Sequence, residues 1–352
     1  MKTKHWFGHA VVTLAAALLP LAALSQPARP PSPLVIITPG GQLNTVLREI
    51  AQPFEKDNNV KIEWVSAAAA TEIVAKVTAS KASPDYDVAF LDDLSLRTGS
   101  DLGLWAPVDE KIVTNHRFLL PNAVQATKDG VGYGLFYGIM FYNPAEFKKN
   151  GWAPPTSWSD LLRPEFCGKA SFFHPNVSYG LHALIMLGGN VAKIDEGIEK
   201  LAAKRNCFPV LETAIAKFEE KVQLGSYVVG NIPNIRAITL IQKGVPIQTV
   251  VPKEGTLIGA ATVSAVQNPK NPERVAMAQR FMNFIISPPA QQTLMNKMYF
   301  SPTNSQVTMS DEMIKVGMIN TEQLKTMPAV QPDLIVKNRQ AWARSVDRAM
   351  AR

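Results

Sequence analysis

Cysteine and charge are what this chain has least of. Its 352 residues include 2 cysteines, 5 histidines and only 18% charged side chains. So few thiols and imidazoles leave little from which to build a zinc module: His174 and His182 stand eight apart, with no partner at the usual ligand intervals. No Gly-x-Ser-x-Gly surrounds Ser66, Ser178 or Ser226, so the serines lack a nucleophile-elbow setting and no catalytic residue is assigned. Neither a metal nor a cofactor is expected. Lys/Arg clusters interleaved with aromatics are missing, which argues against nucleic acid as a partner. Low-complexity tracts and internal repeats are absent, and the 46% hydrophobic share is that of a folded globular chain.

What is present begins at the N-terminus. Lys2 and Lys4 precede an apolar run over residues 10–24, and Ala23-Leu24-Ser25 places small residues at both recognition positions of a cut before Gln26. This pattern predicts a cleavable signal peptide over residues 1–25 and a periplasmic protein. The run falls short of the roughly 20 residues that span a bilayer, and no cysteine follows it to carry a lipid. Removing two lysines and no acids lowers the formal charge from +7 to +5. Cys167 and Cys207 therefore enter an oxidising compartment, each just before an apolar strand-like run (residues 170–173 and 208–211). Neighbouring parallel strands would bring them together, so a Cys167–Cys207 disulfide is expected in preference to two separated thiols.

The rest exceeds what one core usually supports, so two lobes are expected. Residues 26–33 are Pro-rich and form a flexible lead-in. Residues 34–37 read as a buried strand, and Leu43, Val46, Leu47 and Ile50 then recur at helical spacing. The order of strand, loop and helix repeats through residues 60–65, 71–80 and 87–91, which argues for a parallel α/β sheet covered on both faces. In such sheets ligands collect at the carboxyl ends of strands, here Thr38, Gly40 and Gly41 and, on the next loop, Asp92 and Asp93. Gly40-Gly41 opens a helix and can favour an anion there, or can simply make a tight turn; both readings stand.

Residues 131–143 are dense in aromatics and glycine, as suits a strand crossing between lobes where another backbone approaches closely. Phe136 and Phe141 read as core side chains, whereas Tyr137 carries a phenol that could face a pocket. Two further strand-to-helix loops follow. One holds His174, Asn176 and Ser178; the other holds Asn234 and Arg236. An arginine on a helix's first turn calls for an anion if buried and for nothing if solvent-facing. Between the two, Ser157 and Asp160 have capping-box spacing, Pro164 stops the helix they start, and Gly168 turns the chain into an apolar run. A strand of small residues at 259–266 could cross back, a helix over 272–286 presents Val275, Ala278, Phe281, Met282 and Ile285 on one face, and a final polar helix contains Trp342.

The segment from Pro155 to Lys169, with Trp158, Pro164 and Gly168 at its landmarks, resembles a signature of solute-binding proteins of bacterial ABC importers. The likeness is to the spermidine/putrescine-binding branch, and it extends through Tyr86-Asp87-Val88, residues 136–143, Pro252 to Gly255 and Pro302-Thr303-Asn304. It implies an α/β, two-lobed type II periplasmic-binding fold, with mixed, mostly parallel sheets flanked by helices and a cleft between the lobes. Lobe 1 is expected to comprise residues 34–137 plus 258–304, and lobe 2 residues 138–257 plus 305–352, with hinges near 138–140 and 255–258. The implied protein is a monomeric receptor that closes on a small-molecule ligand and delivers it to an inner-membrane ABC permease. A ferric-ion receptor, which would draw on Tyr137, Tyr142, Tyr179 and Tyr227, and a ligand-sensing partner of a membrane receptor are the alternatives. The branch's polyamine cage is incomplete here: Pro233, Gly259 and Ala261 stand where aromatic, aromatic and acid belong. A small polar or zwitterionic solute fits the remaining residues best, with Asp92 or Asp93 at one end and Arg236 or the Gly40-Gly41 turn at the other.

Overall fold

The computed structural model describes residues 32–123 and 128–351, so the expected signal peptide and most of the lead-in lie outside the described residues. The chain opens as read: β1 (Leu34–Pro39), α1 (Gln42–Asp57), β2 (Ile62–Ala67), α2 (Ala70–Ala79), β3 (Val88–Asp92) and α3 (Asp93–Asp101). β1 is paired in parallel with β2 on one side and β3 on the other. α1 buries Val46, Leu47, Ile50, Ala51 and Phe54, the three-and-four spacing that turns one face of a helix onto a sheet.

Next comes a 12-residue strand, β4 (Val131–Tyr142). It is followed by α4 (Pro144–Asn150), β5 (Ala170–Ser171), α5 (Ser178–Gly188), α6 (Ile194–Ala202), α7 (Ile215–Gln223), β6 (Val229–Pro233), α8 (Asn234–Gln242) and β7 (Gln248–Val250). The chain returns through β8 (Ile258–Ala265) into α9 (Pro272–Ile285) and α10 (Pro288–Met298), and ends in α11 (Asp311–Lys315), α12 (Thr321–Thr326) and α13 (Pro332–Ala351). The strands run in the order β2-β1-β3-β8-β4-β6-β5, with β7 also beside β4.

β4 changes partners partway along its length. From Val131 to Tyr137 it pairs with β8; from Gly138 to Tyr142 it pairs with β6, and β7 joins at Met140. The sheet is mixed, as expected, but its parallel pairing is confined to β1 with β2 and β3 and to β5 with β6. The strand pairings of β4 and β8 within the sheet are all antiparallel, with β4 and β8 running between the halves of the molecule in opposite directions; β8 adds one isolated parallel bridge, Ile258 to Ala329.

Each half carries its own core. In the first, Leu34, Ile36, Phe54, Phe90, Tyr133 and Phe281 pack on one face of the sheet, while Ile37, Ile73, Leu91 and Trp105 pack on the other. The second half has a cluster around Trp158, Phe166, Phe172 and Leu184, and a further cluster around Tyr137, Phe141, Phe173 and Phe218 reaches across the crossing to Leu120, Leu135, Ala260 and Met295 of the first. Close packing explains a glycine on β4: a Cβ at Gly134 would lie 2.8 Å from the side chain of Phe300.

The signature segment has a specific structural task. Ser157 accepts from the Ser159 N–H, and Asp160 accepts from the backbone N–H groups of Thr156 and Ser157 at 2.7 and 3.0 Å, so the capping box forms. The helix it starts is a 3-10 turn, Trp158–Leu162, which Arg163 and Pro164 end. Trp158 is buried, and its indole N–H donates to the Gly255 carbonyl at 2.8 Å. The motif thus anchors the return segment just ahead of β8. Beyond it, Gly168 (φ 76°) turns the chain, and Cys167 and Cys207 form the expected disulfide. The parallel strands expected beside them shrink to β5 and one parallel bridge, Phe173 to Glu212; residues 208–211 form no strand.

Candidate site at the seam between the two halves

On the first rim, Thr38 is buried at the end of β1, its hydroxyl bonded to the Pro39 carbonyl at 3.2 Å. Gly40 and Gly41 are exposed, and Gly41 (φ 77°) leads into α1 with no side chain capping that helix. Asp92 ends β3 and caps α3, accepting from the Ser95 N–H at 2.7 Å. Asp93 turns the other way. It is buried and accepts from the Ala260 N–H on β8 at 3.1 Å, and burial beside the Asp92 charge pushes its carboxyl up to about 7. Neighbours in sequence, the two acids serve different regions.

Tyr137 faces no opening. It is fully buried; its hydroxyl accepts from the Ile319 N–H at 2.7 Å and meets the Ser301 hydroxyl at 3.1 Å. Asn234 is buried against it, accepting from the Tyr137 N–H at 3.1 Å and donating to the Tyr299 carbonyl at 3.3 Å. Both satisfy polar groups where the strands cross. At the same place the Thr256 hydroxyl donates to the Gly138 carbonyl at 2.6 Å, tying the two crossing segments side by side.

His174 lies away from the first rim's loops. Its Nδ1 accepts from the Asn176 N–H at 3.1 Å, which leaves Nε2–H to donate to Asp347 on α13 at 2.9 Å. The pair lines a cavity of about 510 Å³ together with Arg205, Asn206 and Leu211. Asn176 is exposed, and its carbonyl accepts from Arg339. Ser178 begins α5 and is half-buried. Arg236 is exposed on the first turn of α8 and pairs with Glu219 at 3.6 Å, so the solvent-facing alternative applies, with a carboxylate already alongside. The other tyrosines are dispersed: Tyr142 donates to Gln248 at 2.6 Å, and Tyr227 is bonded to Glu212 and Lys221.

A different set of residues meets where the halves face each other. Phe136, on β4, and Tyr179, on α5, stack edge to face at 6.3 Å between ring centroids. Leu94 on α3 packs against the core of the second half, and Ile235 on α8 against that of the first. Burial pushes the Tyr179 phenol up to about 12, with the Arg236 cation opposing and the Asp92 carboxylate reinforcing the shift. Arg339, half-buried on α13, feels Asp92 as well, and burial beside the Arg339 cation lowers His182 to about 4. Asp92, Tyr179, Arg236 and Arg339 therefore share one electrostatic neighbourhood. Among the described residues, no group of three or more His, Cys, Asp or Glu could hold a metal ion.

α13 runs along this region. Asp333 pairs with Arg97 of α3 at 3.0 Å, and Asp347 bonds His174, fourteen residues or about 21 Å further on. Asp92 and Arg236 are legible as site candidates in the sequence, whereas Arg339 is not; there His182 figures only as half of an unsuitable zinc spacing, and Phe136 reads as a core side chain. Nothing local marks an arginine on a polar terminal helix. A register of Arg339 with the loop at Asn176 exists only after folding.

The chain belongs to the bacterial extracellular solute-binding protein family, whose model matches residues 49–321. No curated protein matches it. Among solved structures, a putative extracellular solute-binding protein from Bordetella parapertussis is 22% identical, with a TM-score of 0.79 over 90% of this chain and 98% of that one. An ABC transporter protein from Clostridium perfringens is 20% identical, with a TM-score of 0.78 over 90% and 99%. The Atu4243 GABA receptor is 19% identical, with a TM-score of 0.74 over 91% and 98%. The fold is accordingly that of the two-lobed periplasmic-binding proteins, and membership in this family means a solute-binding protein of the ABC-transporter type that works outside the cytoplasm.

Proposed function

We propose that the protein is the receptor of an ABC importer, exported by its N-terminal signal peptide to the periplasm, which closes over one small polar or zwitterionic organic solute and presents it to an inner-membrane permease. The observation that carries this reading is the partner change of β4 between Tyr137 and Gly138, beside the Thr256 hydrogen bond to Gly138. Two adjacent crossings of this kind are where a two-lobed molecule can bend, since φ/ψ changes there reorient whole lobes without breaking either core. The lobes would be residues 34–137 plus 258–304 and 138–257 plus 305–352, with α13 of the second reaching α3 of the first. The solute class follows from charge. Asp92, Glu219, Arg236 and Arg339 sum to zero at the seam, which suits a neutral or zwitterionic guest better than a polyamine. Binding then draws the lobes together because the ligand's contacts exist on both sides only when the cleft is closed. Calorimetric titration combined with small-angle X-ray scattering tests this: a solute should bind with a fall in radius of gyration and no turnover. Binding without compaction would remove the hinge, and turnover would remove the receptor.

A further inference from the structure

We propose that Arg339, carried into the seam by the C-terminal helix, anchors the carboxylate of a zwitterionic solute whose ammonium group is held opposite it by Asp92. The inference rests on the receptor reading above and assigns polarity to its cleft. Arg339 is half-buried, yet only one of its five N–H donors has a partner among the described residues, the Asn176 carbonyl. A partly desolvated guanidinium with unused donors calls for an anion, and Arg presents them in the fork that matches a carboxylate. Arg236, by contrast, is exposed to water, and its charge is met by Glu219 at 3.6 Å without a hydrogen bond.

Two further donors stand on the same side. The Tyr179 hydroxyl has no hydrogen-bond partner among the described residues, although its ring touches Phe136. His182, one turn along α5 from Ser178, is only 3% exposed, and its Nδ1 is buried without a partner next to the Arg339 charge. A buried ring nitrogen left unsatisfied costs about 1–3 kcal/mol, a cost that an entering ligand atom would relieve. The facing side carries the opposite chemistry. Asp92 makes only its cap to Ser95 and forms no ion pair among the described residues; it stands at the start of α3, the helix that α13 meets through the Arg97–Asp333 pair at 3.0 Å, and its charge bears on both Tyr179 and Arg339. Donors on one wall and a carboxylate on the other also reject the near relatives of a zwitterion: a diamine brings an ammonium against Arg339, and a dicarboxylate brings an anion against Asp92.

The test is calorimetric titration of the protein with three probe classes: amino acids (glycine through 6-aminohexanoate, with the α-amino acids), alkyl dicarboxylates and alkyl diamines. Arg339→Gln, Arg339→Lys and Asp92→Asn are measured beside the unaltered chain, with melting curves to verify folding. An amino acid should bind, and dicarboxylate or diamine of similar length should bind at least tenfold more weakly. Arg339→Gln should weaken amino-acid binding about 100-fold, Arg339→Lys should recover part of that loss, and Asp92→Asn should relax the exclusion of dicarboxylates. If a solute of any class binds with compaction while Arg339→Gln leaves its affinity within twofold, the assignment of Arg339 is overturned and the receptor stands. If no probe of the three classes binds the unaltered chain, the zwitterion assignment falls together with the solute class proposed for the cleft.

Discussion

The crossing strands and the seam beside them are made from the same kinds of side chain, and the two regions use them in opposite ways. At the crossing, Tyr137, Asn234, Thr256 and Asp93 are buried and bonded to backbone groups or to one another. At the seam, Asp92, Tyr179 and Arg339 are half-buried and keep unused hydrogen-bonding capacity. Asp92 and Asp93 are adjacent, and both tyrosines stand at lobe boundaries, so residue type and position along the chain do not separate the classes. Satisfaction of hydrogen bonds does. A polar group whose bonds are complete holds the frame; one left with unused capacity in a half-buried setting is available to a guest.

If that division is real, changes at the crossing should cost stability and spare binding, and changes at the seam should do the reverse. The strongest challenge is Trp158→Ala, which empties a buried site and removes the bond to Gly255; a loss of about 3–5 kcal/mol is expected from urea unfolding. Asp93 offers a pH test. Its folded value of about 7 lies above the ordinary 3.8, so the folded state binds the extra proton, and stability should fall as pH rises from 4 to 7. Asp93→Asn keeps an acceptor for Ala260 and should flatten that slope, by ~4 kcal/mol at most across the window. His182, lowered to about 4, works in the other sense and costs stability as pH falls below 6.5.

Replacing Cys167 and Cys207 by serine should cost about 2–4 kcal/mol, since the bond closes a loop of 40 residues, and should leave affinity for any solute within about twofold. The smallest effects sharpen the comparison most. Tyr137→Phe should lose about 1–3 kcal/mol because the Ile319 N–H is left buried without its acceptor, with ligand affinity unchanged. Tyr179→Phe should change stability by under about 0.5 kcal/mol and weaken binding roughly tenfold. Equal effects of the two tyrosine changes on both readouts would erase the distinction between the regions.

Much of the frame was legible in the residues themselves. Alternating and helical periods located β1, β2, α2 and β3 to within two residues, and Ser157 with Asp160 forms the cap its spacing announced. The glycine-rich aromatic run is the strand that passes between the halves. The sites were harder. Of the side chains picked for a ligand, Tyr137, Asn234 and Asp93 went to the crossing, and His174 went to a cavity shared with α13. Each of those outcomes depends on a partner far along the chain, such as Ile319 for Tyr137 or Asp347 for His174, and no local pattern carries that information.

The amino-acid sequence by itself determined most of the strands, turns and helices of the first half, because periods, caps and proline stops act over a few residues. It also determined the order of elements that places the chain in its family, and the two cysteines that join. Only the tertiary structure decided which of two neighbouring aspartates bonds β8, that the phenol of Tyr137 is occupied, and that an arginine from the last helix bonds the loop carbonyl of Asn176. Those outcomes turn on contacts between segments tens to hundreds of residues apart, where packing and hydrogen-bond satisfaction choose among orientations that local rules leave open.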